Sequence, residues 1–475
     1  MANHKQIHFY VQEEELRISS LKQCEIKSEI NEHGTLEIGA IIYEEDIEKY
    51  SHKITSLDPI KVVLTEDETS TTLFQGLVYK MEIEVIGLVA YLTLKGISYS
   101  YLLDIESKER SFQDTSITYG DLVKSVLSDY SKTAFKFSDM KVEGSKVNRP
   151  YIQYSETDWK FLKRVMSKLG MGLVSPIELM GLKIWLDAPN EVDLGDITEF
   201  VQQYKVSRDF KQYKLMEENY KSDVIEIDYT AFSIKSSNIM FTGTKVIFNH
   251  IKLYVKDVKI VLENADIHFY YTLVPRKGLY VPTFKPITLK GVSLFGKVID
   301  VKDHVVQVHF DIDNEQSKKT AYWFPFATVS ASKNNVGWYF MPEIGDGVRV
   351  YFEDGEEENG VATEAIPIDP SDIDPNIRYI STIHGKEIKV APNGIYITSK
   401  GEELYIRLDD DKGISICSDT NINIIAKEAI NILSDTKIEM AAEGIHLVSG
   451  VNGETTIDLA DDVLIDANHV KVNGK

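Results

Sequence analysis

Asp311, Asp313 and Glu315 stand at the alternate positions with which a calcium loop begins. Such a loop needs Gly at its sixth position for a sharp turn and Glu at its twelfth as a bidentate ligand. Here those positions hold Gln316 and Tyr322, so a solvated acidic turn is expected instead. Glu353, Asp354, Glu356, Glu357 and Glu358 form a denser run. Two carboxylates can hydrolyse glycosides, but only when a cleft fixes their separation. A flexible, glycine-containing turn between two strands fits the run better. His304 and His309 lie five apart on strand-like sequence, and His446 and His469 lie further on. Three copies of His446 on a shared axis would make an ion site, although an outward-facing position is equally available. Trp323, Trp338, Tyr339 and Phe340 could stack on sugars, but packing in a barrel core or between domains is the expected role. Cys24 and Cys417 are too far apart in the chain to suggest a disulfide framework or a metal knuckle. No HExxH, Gly-x-Ser-x-Gly, P-loop or dinucleotide fingerprint occurs. The residues therefore predict no catalytic group, no metal site and no cofactor.

The elements that carry these residues read mostly as strands. In residues 1–115, apolar and polar residues alternate over 61–64, 71–80 and 89–99, punctuated by Gly76, Gly87 and Gly96. That pattern predicts a β-barrel or sandwich. Two helices interrupt it. Over 118–130, Leu122, Val123, Val126, Leu127 and Tyr130 share one face. Over 157–169, Trp159, Leu162, Val165, Met166 and Leu169 do the same. Ser155 or Thr157 can cap the second helix, Asp158 suits its positive end, and Gly170 stands where a glycine C-cap belongs. Strands return over 172–288, including 182–186, 223–229 and 246–248. Five short strands in 291–366 predict an OB-type barrel, and the proline- and aspartate-rich stretch 367–375 reads as an extended linker.

The chain has 475 residues, enough for three or four domains, and a formal charge of −22. That charge argues against nucleic acid, which is held by Lys and Arg stripes, and against adsorption to anionic lipid. The polar start has no signal-peptide core, and no stretch approaches the roughly 18 unbroken apolar residues of a membrane helix. Synthesis and residence in the cytosol are expected, with export only by a dedicated machine.

The most informative pattern lies near the C-terminus. Ile406, Ile414, Ile422, Ile430 and Ile438 recur every eight residues, each followed two residues later by Leu408, Ile416, Ile424, Ile432 or Met440. Looser pairs continue to Val470 and Val472. Spacing of two puts both members on one strand face. Eight residues supply one short strand and a bend, about one side of a three-sided coil, whereas one chain winding all three sides needs roughly 18 or more. Three chains are therefore expected to close a prism, which also removes open sheet edges. A plain antiparallel meander is the alternative, disfavoured because tight-turn signals are scarce over 414–440.

Three segments, in order, resemble one family. YIQYSETDWKFLKRVMSKLG (151–170), with Tyr151, Asp158, Trp159 and Leu162, resembles the signature helix of VgrG proteins and phage tail hub proteins. Residues 323–366, including WYFMPEIGD at 338–346, resemble their OB-fold, and the octads resemble their triple-stranded β-helix. The resemblance implies a mainly β homotrimer. Its parts would be a hub at 1–285 with two tube-protein-like barrels and a small α/β insert at about 116–170, an OB-fold at 286–366, a neck at 367–395 and an intertwined β-helix spike at 396–475. It implies the central spike of a contractile injection system, joining a hexameric Hcp-like inner tube to a needle. The partners implied are baseplate proteins, a PAAR-like tip protein touching Val470 and Val472, and effectors. The spike would stay in the cytoplasm until firing, then be driven outward or into a target cell. Some family members carry a toxin, a lysozyme domain or an iron-binding His-x-His tip. This chain ends after its last repeat, has only 367–396 between OB-fold and needle, and has no His-x-His. A phage or tailocin hub with a wall-degrading role, or a trimeric receptor-binding fibre, are the competing readings.

Overall fold

The computed structural model describes residues 5–67, 69–189, 192–220, 223–328, 330–331, 337–366, 374–399, 403–441 and 468–471. It divides into two compact units, Met1–Asp372 and Ile373–Lys475.

The first unit is built on a 13-stranded sheet. Strands from 5–98 and from 193–274 form its two halves. They join where Ile18–Glu29 pairs antiparallel with Ile251–Glu263. Alternation drives this: Thr35–Ile42 buries every second residue, Leu36, Ile38, Ala40 and Ile42. The inward residues of both halves, such as Leu92, Phe74, Val246 and Ile260, merge into one core.

The insert between the halves has its own core, in which Leu122, Val126, Trp159, Leu162 and Met166 meet Leu173 and Ile184. Its helices are Tyr119–Leu127 and Asp158–Ser167. Thr118 and Asp121 close a capping box on the first. Thr157 caps the second, its hydroxyl accepting from the Lys160 amide at 3.3 Å. Gly170 follows with φ +72, a left-handed position that glycine occupies without strain. Parallel pairing of Lys183–Leu186 with Ala134–Phe137 carries the insert beyond residue 170.

Two sequence expectations change here. Residues 223–229 were expected as a strand, but Glu226–Tyr229 is a 3-10 turn and the strand is Thr230–Ser236. Further helices stand beside the two expected, notably Phe210–Tyr220. Only Met216 of that helix is fully buried, so it shows little apolar periodicity.

Residues 292–366 form a five-stranded barrel sheet in the order Trp323–Pro325, Val305–Phe310, Val292–Lys302, Gly347–Phe352 and Val361–Ile366. Its core holds Val298, Val308, Phe310, Phe324, Val350 and Phe352, together with Ile152 from the insert. Gly296 is needed for close packing, since a Cβ there would collide with the His309 carbonyl oxygen.

The second unit is an antiparallel meander of Arg378–Thr382, Lys386–Ala391, Gly394–Ser399, Leu404–Asp409 and Gly413–Cys417. Neighbouring strands therefore come from one chain, in place of one strand per chain at each level. The boundary expected at 396 falls inside Gly394–Ser399. Residues 421–433 and 437–441 have no assigned strand partner. The linker 367–373, His446 and Val472 lie outside the described residues.

Candidate assembly surfaces

The meander sorts its residues onto two faces. Register places Ile380 opposite Ile388, Ile388 opposite Ile397, Ile397 opposite Ile406 and Ile406 opposite Ile416. A second row runs from Val390 to Ile395, Leu408 and Ile414. Directly opposed side chains on one face are the contacts that stabilise a sheet. Yet among the described residues nothing covers this face: Ile380, Ile388, Ile397 and Ile406 are 39 to 45% exposed, and Ile414 is 72% exposed. The other face is polar and aromatic. Lys389 lies over the Tyr396 ring, and the Arg407 guanidinium lies 4.0 Å from the Tyr405 ring centroid.

Of the expected prism core, Ile406, Leu408, Ile414 and Ile416 are brought together on this apolar face. Ile422, Ile424, Ile430, Ile432, Ile438 and Met440 lie outside any assigned strand and are exposed. Val470 is exposed as well. Sequence reasoning began the ladder at Ile406 and missed its first half. The signal was present as i, i+2 pairs at Ile388 with Val390 and Ile395 with Ile397, but their spacing departs from eight.

The signature helix sits at a polar junction. Asp158 is fully buried and accepts from Arg110 at 2.6 Å, Lys108 at 2.8 Å, Tyr130 Oη at 2.6 Å and Gln153 Nε2 at 2.8 Å. Such dense pairing is what permits a buried carboxylate. Tyr151, Trp159 and Leu162 are packed in the insert core.

Next to this helix, the two acidic runs prove to be docking elements. Glu357 was expected on a flexible turn but is only 2% exposed, paired with the fully buried Arg164, which also binds Glu156 at 3.0 Å and the Ile152 carbonyl at 2.8 Å. Burial pulls the Arg164 guanidinium down, but the two carboxylates outweigh it and hold it above its ordinary range. Lys168 pairs with Glu356 at 2.7 Å beside it. Asp313, expected in a solvated turn, is half-buried and accepts from the Ser111 amide at 2.7 Å and from its hydroxyl. Gln113 spans the same seam, donating to the Val308 carbonyl at 3.0 Å and accepting from the Tyr322 amide at 3.1 Å. The acidic residues thus fasten the barrel to the insert.

The other candidates divide. His309 bonds the Asp313 carbonyl at 3.0 Å, and His469 is exposed. Trp323 is half-buried, whereas Tyr339 and Phe340 are exposed, so the packing expected of them is incomplete in this chain. Burial pushes the Cys24 thiol up to about 12, which removes its nucleophilic form. Among the described residues no group of His, Cys, Asp and Glu is placed to hold a metal ion.

Residues 294–366 match the family described as the type VI secretion system/phage-baseplate injector OB domain. Among curated proteins, none matches this chain. Among solved structures, the chain is similar to the Escherichia coli c3393 protein, a component of the type VI secretion system with structural similarity to T4 bacteriophage tail proteins gp27 and gp5. Identity is 12%, 76% of this chain and 99% of that chain are covered, and the TM-score is 0.55. It is also similar to the Francisella PdpA–VgrG complex in its half-lidded form, with 9% identity, 87% and 88% coverage and a TM-score of 0.55. The lidless PdpA–VgrG complex matches at 10% identity, 88% and 98% coverage and a TM-score of 0.54. Fold and OB domain together bear out the resemblance to VgrG and phage tail spike proteins.

Proposed function

We propose that three copies of this chain form the central spike of a contractile injection machine, a structural part and not an enzyme. The observation that supports it best is the uncovered isoleucine face of the meander. A five-stranded sheet apolar on one face is stable only when that face is covered. Three copies turned inward cover one another, and the octads beyond residue 417 continue as strands that pair between chains. In this reading the prism core is Ile406, Leu408, Ile414, Ile416, Ile422, Ile424, Ile430, Ile432, Ile438 and Met440. The hub at 1–285 receives the hexameric inner tube among baseplate proteins, 286–366 is the OB collar, 367–395 the neck and 396–475 the needle. A PAAR-like tip seats on Val470 and Val472. Effectors ride on the spike; in Francisella, VgrG is found in a complex with PdpA. The spike waits in the cytoplasm and is carried outward on firing.

Light scattering on the purified full-length chain tests this. The expected species has three times the 53.9 kDa chain mass and persists on dilution. A stable monomer, or a dimer made by two meanders face to face, would overturn the reading.

A further inference from the structure

The strands Lys5–Val11 and Ile18–Glu29 follow one another in the chain but do not pair with each other. A short bridge ties them at one end. Tyr10 and Val11 pair with Glu15 and Glu14, and the Leu16 amide donates to the Phe9 carbonyl at 2.8 Å. Beyond that bridge they part. Residues 5–9 have Pro59–Glu66 on one side and, among the described residues, no strand on the other. Residues 18–24 have only Thr35–Ile42 beside them, because Ile251–Glu263 joins from Glu25 onward. Register shifts at Ser19 and Lys22 mark bulges in this stretch, and bulges bend a strand. The space between the two edges is a groove of about 470 Å³, lined from both strands by residues that include Ile7, Phe9, Ile18 and Leu21.

Backbone parity says what fits this groove. The Phe9 carbonyl faces Leu16 and therefore points away from Pro59–Glu66. Residues two apart in a strand direct their amide and carbonyl groups to the same side, so those of Lys5 and Ile7 point into the groove as well. Backbone groups left unpaired on two facing edges are matched by the backbone of an added strand. The side chains agree. The floor is apolar: Phe9 and Leu16 are buried, and Ile7, Ile18 and Leu21 pack on the sheet core while staying half-buried. The lining charges are matched among themselves or with their neighbours, His8 with Glu15 at 2.6 Å and Arg17 with Glu45 at 2.8 Å. A polyanion or an acidic segment thus finds no unmatched cation among the lining residues. A second copy presents the same hollow here, so two such grooves cannot fill each other. An extended peptide with apolar residues at alternate positions and uncharged polar residues between them meets every condition.

We propose that this groove receives one extended strand of a partner protein, added between residues 5–9 and 18–24. Every strand pairing on the path from Lys5–Val11 round to Ile18–Glu29 is antiparallel, and the two edges themselves run antiparallel. The occupant therefore lies parallel to one edge and antiparallel to the other, with its apolar face completing the floor over Ile7, Phe9 and Leu21. The inference does not rest on the three-fold assembly, and light scattering tests that assembly separately.

The test uses the full-length chain. Amide hydrogen exchange, read by mass spectrometry, is measured first on the protein alone. Residues 5–9 and 18–24 are expected to exchange faster than 36–42 and 60–64, which are paired on both sides. Protection of both edges in the protein alone would mean that another copy fills the groove, and would overturn the proposal. A display library of random peptides is then panned against the protein, and the enriched sequences are synthesised. The expected binders alternate apolar and uncharged polar residues and protect both edges. They should lose about tenfold or more in affinity, by fluorescence anisotropy, when a central residue is N-methylated or replaced by Pro. Each amide of an added strand faces one edge or the other, and N-methylation removes that donor while keeping the side chain. Binders indifferent to N-methylation would mean apolar docking without strand addition and overturn the proposal. So would a selection in which no peptide protects these edges.

Discussion

One carboxylate oxygen of Glu178 is buried without a hydrogen-bond partner. Its neighbours explain why the residue is tolerated. Ile177 is buried in the sheet core, and the Ile177 and Glu178 carbonyls accept from the Gln75 amide at 2.5 Å and side chain at 3.0 Å. The backbone is therefore pinned wherever the carboxyl falls. Burial raises the Glu178 pKa from 4.5 to about 7, with its own backbone and Lys183 offsetting little. A carboxyl with a raised folded pKa binds its proton more tightly when folded. Its stabilising effect is present at low pH and is lost as pH climbs from about 4.5 to about 7. Glu178→Gln should therefore be more stable than the parent near pH 8, by at most about 3 kcal/mol at about 1.4 kcal/mol per pH unit, and equal to it near pH 4. Denaturant melts at the two pH values check this. A difference independent of pH would mean that the Glu178 carboxyl titrates alike in the folded and the unfolded chain.

At the scale of elements, the meander separates a face that needs a partner from one that does not. Ile397 sits at the centre of the ladder, opposite Ile388 and Ile406. Ile397→Asp would bury one charge per copy at the covered face, at several kcal/mol each. The expected outcome is dissociation to monomer by light scattering at concentrations where the parent is trimeric. Ser415→Asp, on the same sheet but the opposite face, should leave the mass unchanged; equal loss in both would mean that the sheet itself had failed. What was legible follows from the same local rules. Residues 157–169 announced their helix because the apolar spacing, the Thr157 cap and Gly170 agree. Phe210–Tyr220 was not legible, since one buried residue makes no stripe. Turn signals tell the meander too. His384-Gly385, Asn393-Gly394 and Lys412-Gly413 close three of its hairpins, and among the described residues pairing stops at Cys417, where such signals become scarce. The scarcity lies after Ile414, whereas the strands before it do have turns.

At the scale of the whole molecule, long-range pairing could not be read from the chain. Arg164 and Glu357 are 193 residues apart, and nothing near Glu357 marks it as buried. Its acidic neighbours suggest solvent because charged residues are almost never fully buried unless paired, and the partner belongs to another element. The consequence is mechanical as well as structural. Arg164 with Glu156 and Glu357, Lys168 with Glu356, Asp313 with Ser111, and Gln113 across the seam tie the barrel of 292–366 to the insert, and Ile152 of the insert completes the barrel core. In the spike proposed above, bodies that yield together would carry thrust from hub to needle. Arg164→Met keeps much of the volume but strands two carboxylates, and breaking a buried pair in this way costs about 3–5 kcal/mol. In the parent, barrel and insert should unfold in one calorimetric transition. In Arg164→Met that transition should move down and split, with protease reaching the 353–360 turn before the insert core opens. Adding Glu156→Gln and Glu357→Gln removes the stranded charges and should recover part of the lost stability without restoring a single transition, because the pairing itself is gone. If Arg164→Met leaves one unshifted transition, the two bodies are coupled by the Ile152 packing and the Asp313 seam alone.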